Sequence, residues 1–222
     1  MRTFLAACAL AAPAAASVPA LAGSPDGSIQ IKAFATAVLP DGQVTDVITD
    51  RIGLPATAQT RASDSIVPTV AAEYFVSPAF SIETICCVTP HDVAGLGGAR
   101  LIDDAIILPA TVTGKLHLET GVGIKPYAGA GITRFFIFGE DVDGGAAALG
   151  TTGVNLSDDW GLVLQGGIDV PLGDNGLGLS IDAKRYFDVD TTATFRAGGT
   201  TALQTRHQLD PWVVSAGLAY RF

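Results

Sequence analysis

Apolar and polar residues alternate strictly over the segment 110–119, which reads ATVTGKLHLE. Alternate positions carry Ala, Val, Gly, Leu and Leu, while threonine, lysine, histidine and glutamate occupy the positions between them. Because successive side chains of a β-strand point to opposite faces, this period of two predicts a strand with one apolar and one polar face. The same test predicts strands at 29–38, 66–76, 80–88, 110–119, 126–138, 160–170, 177–188 and 211–222.

The connections between these predicted strands alternate in length. Strands of about 9 to 13 residues are long enough to cross a bilayer at a tilt of about 45°. Outer-membrane barrels have short periplasmic turns and longer extracellular loops. The pattern therefore predicts an all-β fold: an eight-stranded antiparallel transmembrane β-barrel with both termini periplasmic and four long extracellular loops. The long connections are 39–65, 89–108, 139–159 and 189–210, and the short ones are 77–79, 120–125 and 171–176.

The first residues follow the pattern of a secretory signal peptide, with Arg2, an Ala-rich apolar run and small residues before Gly23. We therefore predict a signal peptide over 1–22 and a single barrel domain over 23–222, in the outer membrane of a Gram-negative bacterium. A soluble secreted barrel or sandwich would show the same alternation, since its apolar face would form the core. The signal peptide, the loop asymmetry and aromatic residues at strand ends favour the membrane barrel, whose wall would contact outer-membrane lipid.

Composition narrows the classes of function. The chain has 222 residues, of which 48% are hydrophobic and 16% charged, and its formal net charge is −9. Such an acidic protein lacks the basic stripe that nucleic-acid binding requires, so we expect no nucleic-acid partner. Cys86 and Cys87 are neighbours on opposite strand faces, which argues against a disulfide framework. The three histidines lack the spacing of a zinc site, so we expect no metal and no cofactor.

The polar faces of the predicted strands carry many charges. We predict that these charges face the lumen, because lipid outside the wall requires the apolar set. An eight-stranded barrel is just wide enough for side chains to fill it, so opposite charges would pair across the lumen. An ion pathway or a catalytic cluster is the alternative interpretation. The predicted lumen network comprises Lys32, Glu73, Glu83, Lys115, His117, Glu119, Asp169, Asp182, Lys184 and Asp188.

His117 beside Glu119 has the residue types of a general base and its orienting carboxylate. No serine stands out as a nucleophile, so we predict no catalytic residue and no enzyme activity.

Trp160 is the candidate for a channel gate, because it follows two aspartates at the mouth of a predicted strand. Turned inward, it would form an apolar gate with Leu54, Ile52 or Leu149 from the long loops. Strict strand parity places Trp160 on the lipid side instead, as part of an aromatic girdle.

The second half of the chain contains four motifs of a known family. PYAGAGITRFF at 126–136 resembles PYxGAGxxxxxFF, and LSDDWGLVLQGGIDV at 156–170 resembles DSWGxxxQxGxDY. FDVDTTATFRAGG at 187–199 resembles DIDTTAxYxxGG, and LDPWVVSAGLAYRF at 209–222 resembles LDPWVxxxGxGYRF. These four patterns are those of the OmpW family of small outer-membrane proteins, which the chain therefore resembles. The first half matches less closely, and it departs from the family in the first long loop and at Cys86 and Cys87.

The resemblance implies a narrow, rather apolar channel for small hydrophobic or amphipathic molecules, with sideways release into lipid through an opening in the wall. Two alternatives remain: a structural or adhesive barrel whose loops make the contacts, and a lipid-modifying enzyme. The sequence leaves the solute and the oligomeric state open.

The last predicted strand ends on an aromatic residue. We predict that 211–222 pairs with 29–38 to close the barrel. Phe222, with Tyr220 two residues before it, fits the terminal pattern of bacterial outer-membrane barrels, which is thought to be read by the barrel assembly machinery. This machinery is therefore an expected partner.

Overall fold

The computed structural model describes residues 26–95, 100–139, 141–148 and 150–222. The predicted signal peptide and Leu149 lie outside the described residues. No helix in the described ranges is long and apolar enough to cross a membrane. The elements are β1 (Ile29–Leu39), β2 (Gln43–Asp50), β3 (Thr60–Ala62), β4 (Ser65–Ser77), β5 (Phe80–Cys86), β6 (Thr89–Gly95), β7 (Arg100–His117), β8 (Lys125–Phe138), β9 (Asp141–Val142), α1 (Gly144–Ala148), β10 (Gly153–Leu156), β11 (Asp159–Pro171), β12 (Leu177–Phe187), β13 (Asp190–Ala197), β14 (Thr200–Gln208) and β15 (Trp212–Arg221).

Eight of these strands form a closed antiparallel barrel. Around the ring they follow the order β1, β4, β5, β7, β8, β11, β12 and β15, and each pairs with the next. The ring closes between β15 and β1, where Arg221 pairs with Gln30 and Trp212 pairs with Leu39. Closure removes the open sheet edges, whose backbone groups lipid cannot hydrogen-bond. The predicted eight-stranded antiparallel barrel is confirmed.

The outward and inward faces of the barrel have opposite character. Outward positions carry large apolar side chains such as Ile132, Leu162 and Leu164, which are 54%, 54% and 56% exposed in the isolated chain. Inward positions carry charges such as Lys32 and Lys115, which are fully buried. A soluble barrel would bury the apolar set and expose the charged one. The wall therefore has the polarity of a barrel surrounded by lipid.

The barrel has two different ends. The turn end carries the short connections at 78–79, 118–124 and 172–176, together with Phe222. The loop end is the opposite end, and it carries the long connections between barrel strands.

Strand structure continues beyond the barrel at the loop end, which the sequence analysis did not predict. β7 begins at Arg100 rather than near residue 110. β10, β13, β14 and β2 form a second antiparallel sheet, while β3 and β6 extend the barrel sheet beside β7. The predicted long loops at 89–108 and 189–210 therefore consist largely of strands, and the other two contain strands over part of their length. Alternation is weak there because the inward positions include small or polar residues such as Thr191 and Ala193.

The first and last barrel strands are joined tightly at the turn end. Ile29 and Phe222 exchange two backbone hydrogen bonds of 3.0 and 2.8 Å. The Arg221 guanidinium donates to the Gly27 carbonyl, and its Cζ lies 3.6 Å from the centroid of the Phe75 ring. A Cβ on residue 27 would lie 2.4 Å from the carbonyl carbon of Phe222, so glycine is required at this close approach. The predicted pairing of the last strand with the first is confirmed.

Deleting Phe222 is expected to reduce the fraction of closed barrel. The deletion removes both backbone hydrogen bonds with Ile29, which together contribute about 1 to 3 kcal/mol. After refolding into detergent, less protein should migrate in the compact, heat-modifiable form on an unheated gel. Phe222→Leu keeps the backbone bonds and is the control. An unchanged compact fraction for the deletion would contradict the closure role.

Candidate functional site

A cluster of buried charges fills the turn-end half of the barrel. Three lysines and four carboxylates from six barrel strands all occupy inward positions, and each residue is at most 8% exposed. Strand parity brings these residues inside, and the barrel's small diameter brings them into contact. We call this group the polar cluster; it comprises Lys32, Lys115, Lys184, Glu73, Glu83, Asp169 and Asp182.

Glu83 is the central acceptor of the polar cluster. Its Oε2 lies 2.8 Å from Lys115 Nζ and 3.6 Å from Lys32 Nζ, while its Oε1 lies 3.1 Å from Lys184 Nζ. The Gln165 amide donates to the same Oε1 at 2.8 Å. One carboxylate of β5 therefore connects β1, β7, β11 and β12.

Lys32 connects the cluster to the opposite wall. Its Nζ lies 3.1 Å from both carboxylate oxygens of Asp169 and 3.0 Å from Glu73 Oε2. Asp169 also accepts from the Ser180 hydroxyl at 2.5 Å and from the Gln30 amide at 3.1 Å. Burying a charge costs several kcal/mol unless it is paired and hydrogen-bonded. These contacts supply the pairing.

Tyr127 and Gln165 complete the cluster, although the predicted network omitted them. The Tyr127 hydroxyl donates to Asp182 Oδ2 at 2.7 Å, and its ring centroid lies 3.8 Å from Lys115 Nζ. Gln165 donates to the same Asp182 oxygen at 2.6 Å. The prediction counted only charged residues, and the segment 126–138 is apolar on both faces. Gln165 could have been identified because it shares the strand face of Asp169.

Two members of the predicted lumen network do not lie in the lumen. Glu119 follows β7, which ends at His117, and its side chain is 57% exposed in an ion pair with Lys125. Asp188 is exposed between β12 and β13, in the left-handed region with a φ of +58°. The prediction was wrong for both residues, because it extended strand parity past the ends of the strands.

His117 lies beside Ser81 and Glu73 at the turn end, a combination with the residue types of a hydrolase triad. Its Nε2 is 2.8 Å from Ser81 Oγ and 3.0 Å from Glu73 Oε1, so both groups contact the same nitrogen. In a triad the acid holds Nδ1 while Nε2 faces the nucleophile. Ser81 is also fully buried. This arrangement extends the polar cluster and lacks the geometry of a catalytic site.

Above the polar cluster the lumen is filled by hydroxyls and apolar side chains. The Thr111 hydroxyl lies 2.8 Å from that of Thr133 and 3.2 Å from that of Tyr186. Two small voids, one of about 20 Å³ in this layer and one of about 30 Å³ at the turn end, each have room for about one water molecule. In this layer the side chains of the described residues therefore pack against each other across the lumen. The apolar members of this layer are Val38, Phe135, Val163, Tyr186 and Val213.

An apolar cavity of about 360 Å³ lies at the loop end, above this filled layer. Its wall is built by parts of β2, β3, β6, β8, β10, β13 and β14, together with the first half of β7 and the segment 54–59. The volume of this cavity and its apolar lining are typical of a site for a small apolar ligand. Its apolar lining includes Ile102, Ile107, Ile137, Ala193, Phe195 and Leu203.

The gate candidates occupy different places. Leu54 lines the cavity. Ile52 packs against the apolar core that surrounds the cavity. Trp160 is 57% exposed on the outer face of the barrel, and its ring lies 5.4 Å from Arg134 Cζ. The gate prediction is wrong for Trp160, because β11 already begins at the preceding residue. Trp160 consequently shares the outward parity of Leu162, as the girdle interpretation requires.

Two buried histidines line the cavity. The ring nitrogens of His207 both have partners: Nδ1 lies 2.9 Å from Thr60 Oγ1, and Nε2 lies 2.7 Å from Thr205 Oγ1. His91 Nδ1 lies 2.6 Å from the Ser63 carbonyl oxygen. Burial lowers the pKa of each histidine below its usual value. Both are therefore neutral polar groups in a largely apolar cavity at neutral pH.

The barrel wall is interrupted between β4 and β6. β4 pairs with β5 only as far as Val70, which lies opposite Cys86, and β6 pairs with β7 but not with β4. Beyond the interruption, the Ser63 amide donates to the Asp92 carbonyl at 2.9 Å. Residues 65–69 and 87–91 therefore face each other without a hydrogen-bonded ladder. We call this interruption the wall window.

A proline faces the wall window from each side. The Phe75 amide donates to the Ser28 carbonyl on the β1 side, and the N–H groups of a strand alternate between its two neighbours. The nitrogen of Pro68 therefore points towards β6. The Asp92 carbonyl points towards Ser63, so the same alternation directs the nitrogen of Pro90 into the window. Since proline has no N–H, each one removes a donor that a ladder would need.

A closed ring of eight strands with an apolar outside and a charged inside defines a β-barrel of the bacterial outer membrane. Comparison with known proteins supports the class of outer-membrane β-barrels and narrows it to one family. The chain belongs to the OmpW family, whose model matches residues 25–222. It is accordingly an outer-membrane protein of a Gram-negative bacterium.

Relatives support this family, and solved structures support the barrel fold. The chain is 27% identical to outer membrane protein W of Vibrio cholerae over 223 residues, which cover 97% of this chain and 98% of the relative. It is 31% identical to outer membrane protein W of Escherichia coli over 117 residues, about half of each chain. The crystal structure of OprG from Pseudomonas aeruginosa has a TM-score of 0.78 at 22% identity, covering 90% of this chain and 98% of OprG. AlkL, solved in lipid bilayers, has a TM-score of 0.69 at 20% identity, covering 90% and 92%.

Proposed function

We propose that this protein takes up small hydrophobic or amphipathic molecules at its loop end and releases them sideways into the outer membrane. The observation that carries the proposal is an apolar cavity of about 360 Å³ above a lumen that is filled by paired charges. The free energy of an apolar solute falls when it moves from water into such a cavity. It has no favourable path through the polar cluster, where it would have to separate buried ion pairs.

The wall window supports sideways release. His91 lines both the cavity and the void of about 20 Å³ below it, and that void is also lined by Ile85, Cys87 and Thr89 next to the window. The outward residues at its rim are apolar, and Ile66 is 80% exposed in the isolated chain. A solute that leaves the cavity past His91 would therefore meet lipid.

In this proposal the loop end faces the outside of the cell, and the turn end, with both chain termini, faces the periplasm. Short turns on the periplasmic side and longer extracellular connections are the general arrangement in such barrels. Leu54 and Ile52 then lie at the entrance to the cavity. The polar cluster acts as a structural plug, which its complete pairing supports.

Replacing Ala193 with tryptophan tests this function. Ala193 is 1% exposed and lines the cavity, so an indole there occupies space that the solute needs. Overpacking costs about 1 to 3 kcal/mol, and we expect uptake to slow about tenfold or more. The rate is measured with the fluorescent probe N-phenyl-1-naphthylamine and vesicles that carry lipopolysaccharide in their outer leaflet. Ala128→Trp, at an exposed outward position of β8, is the matched control and should keep the wild-type rate.

The outcomes separate the candidate functions. Wild-type uptake no faster than in protein-free vesicles would remove the transport proposal and favour a structural or adhesive barrel. Release of fatty acid or acyl transfer from the vesicle lipid would instead favour a lipid-modifying enzyme.

We further propose that Phe222 and Tyr220 are read by the barrel assembly machinery during insertion. Their rings lie 6.0 Å apart at the turn end, and Tyr220 is 40% exposed on the outer face. Phe222→Leu, which keeps strand closure, should then lower the assembled amount in cells while refolding normally in detergent. Equal assembly in cells would argue against this role.

A further inference from the structure

One nitrogen of His91 has no hydrogen-bond partner among the described residues, although it is buried. Leaving a buried polar atom unsatisfied is energetically unfavourable, and most such atoms in folded proteins have a partner. This atom is Nε2, and the ring that carries it is 3% exposed. The His91 side chain lines the cavity, so the partner we consider is a molecule that enters the cavity.

The hydrogen-bond character of Nε2 follows from the contact at the other nitrogen. His91 Nδ1 lies 2.6 Å from the carbonyl oxygen of Ser63, and a carbonyl can only accept. Nδ1 therefore carries the proton. In a neutral imidazole the second nitrogen is then an acceptor with a free lone pair.

The ring stays neutral at physiological pH. Burial lowers the pKa of His91, and this effect outweighs the contact with the Ser63 carbonyl and the charges of Asp64 and Asp92, which act in the opposite direction. Nε2 is therefore an acceptor and not a donor under the conditions of uptake.

His91 also occupies the place through which a solute would leave. Its side chain lines the cavity above and the small void below, and its strand borders the wall window. Across the window, the hydroxyl of Thr69 on β4 is also buried without a hydrogen-bond partner in the described part of the chain. In the described part of the chain, two unsatisfied polar atoms therefore lie on the inner side of the window.

His207 provides a contrast within the same cavity. Its Nδ1 and Nε2 contact Thr60 and Thr205, so its hydrogen-bonding capacity is used by the protein itself. Of these two histidines, only His91 offers a vacant acceptor to a ligand.

We propose that His91 makes the cavity selective for apolar solutes that carry one hydrogen-bond donor, such as phenols and medium-chain alcohols, whose hydroxyl donates to Nε2. Solutes of the same size that can only accept, such as ethers, leave this nitrogen unsatisfied and bind more weakly. The inference rests on the proposed uptake function, because it assigns the solute class of the same cavity.

A matched pair of probes tests this selectivity. 2-Naphthol and 2-methoxynaphthalene have the same ring system, and only the first has a donor. Binding to the full chain in lipid nanodiscs is measured by equilibrium dialysis, with the partition into empty nanodiscs subtracted. We expect 2-naphthol to bind about fivefold to tenfold more tightly, since a hydrogen bond contributes about 1 kcal/mol. His91→Phe should abolish this preference, while His207→Phe should retain it.

A spectroscopic measurement on the wild-type protein tests the role of His91 Nε2 even if His91→Phe does not fold. With ¹⁵N-labelled histidine, the Nε2 resonance of His91 should shift on addition of 2-naphthol and stay in place with 2-methoxynaphthalene. Equal binding of the two probes, or an unmoved Nε2 resonance with bound 2-naphthol, overturns the selectivity and leaves the uptake function intact. The absence of saturable binding by either probe overturns the uptake function as well.

Discussion

Glu83→Leu is expected to destabilise the folded barrel by about 3 to 5 kcal/mol, the usual cost of removing one partner from a buried ion pair. Glu83 accepts from Lys115 at 2.8 Å, from Lys184 at 3.1 Å and from Gln165 at 2.8 Å, and it is 2% exposed. Leucine removes these acceptors and leaves three lysine ammonium groups around an apolar side chain. The three lysine side chains are fully buried, so solvent outside the barrel does not contact them.

The loss is measured as a shift of the urea unfolding curve in lipid vesicles, followed by tryptophan fluorescence. Glu119→Leu is the matched control, because Glu119 lies outside the polar cluster and pairs only at the surface with Lys125. Surface changes of this kind usually alter stability by at most about 0.5 kcal/mol. If Glu83→Leu shifted the curve no more than Glu119→Leu, the polar cluster would not be the structural plug inferred here.

The polar cluster shows how far strand parity can predict a lumen. Alternation places Lys32 and Asp169 on inward faces, because lipid excludes charges from the outer wall. It does not predict that these two side chains meet at 3.1 Å, since they lie on β1 and β11, which are not neighbours in the sheet. Such contacts depend on the tilt and stagger of all eight strands. Parity also fails past the end of a strand, as Glu119 shows.

The loop end could be predicted less well, because its structure depends on contacts between distant segments. β14 pairs with β2, so residues 200–208 complete a sheet with residues 43–50. The cavity forms only when these strands and the first half of β7 come together. Pro68 and Pro90 carried a usable signal nonetheless, since proline inside a strand is confined to edges and irregularities of a sheet.

The double variant Pro68→Val, Pro90→Val is expected to slow uptake of N-phenyl-1-naphthylamine by roughly thirtyfold. Both proline nitrogens face the wall window, and valine supplies the missing N–H groups while fitting a strand well. Two new ladder hydrogen bonds between β4 and β6 would contribute about 2 kcal/mol in total. This free energy lowers the fraction of molecules with an open window about thirtyfold.

Hydrogen exchange of the two new amides shows independently whether the ladder has formed, because paired amides exchange slowly. Pro126→Val is the control: it adds an N–H to β8 at the turn end, away from the window, and should leave the uptake rate unchanged. Slow exchange at residues 68 and 90 combined with the wild-type uptake rate would mean that solutes leave the cavity by another route. Slow exchange combined with slow uptake would assign the exit to the wall window, because the cavity and the polar cluster are the same in both proteins.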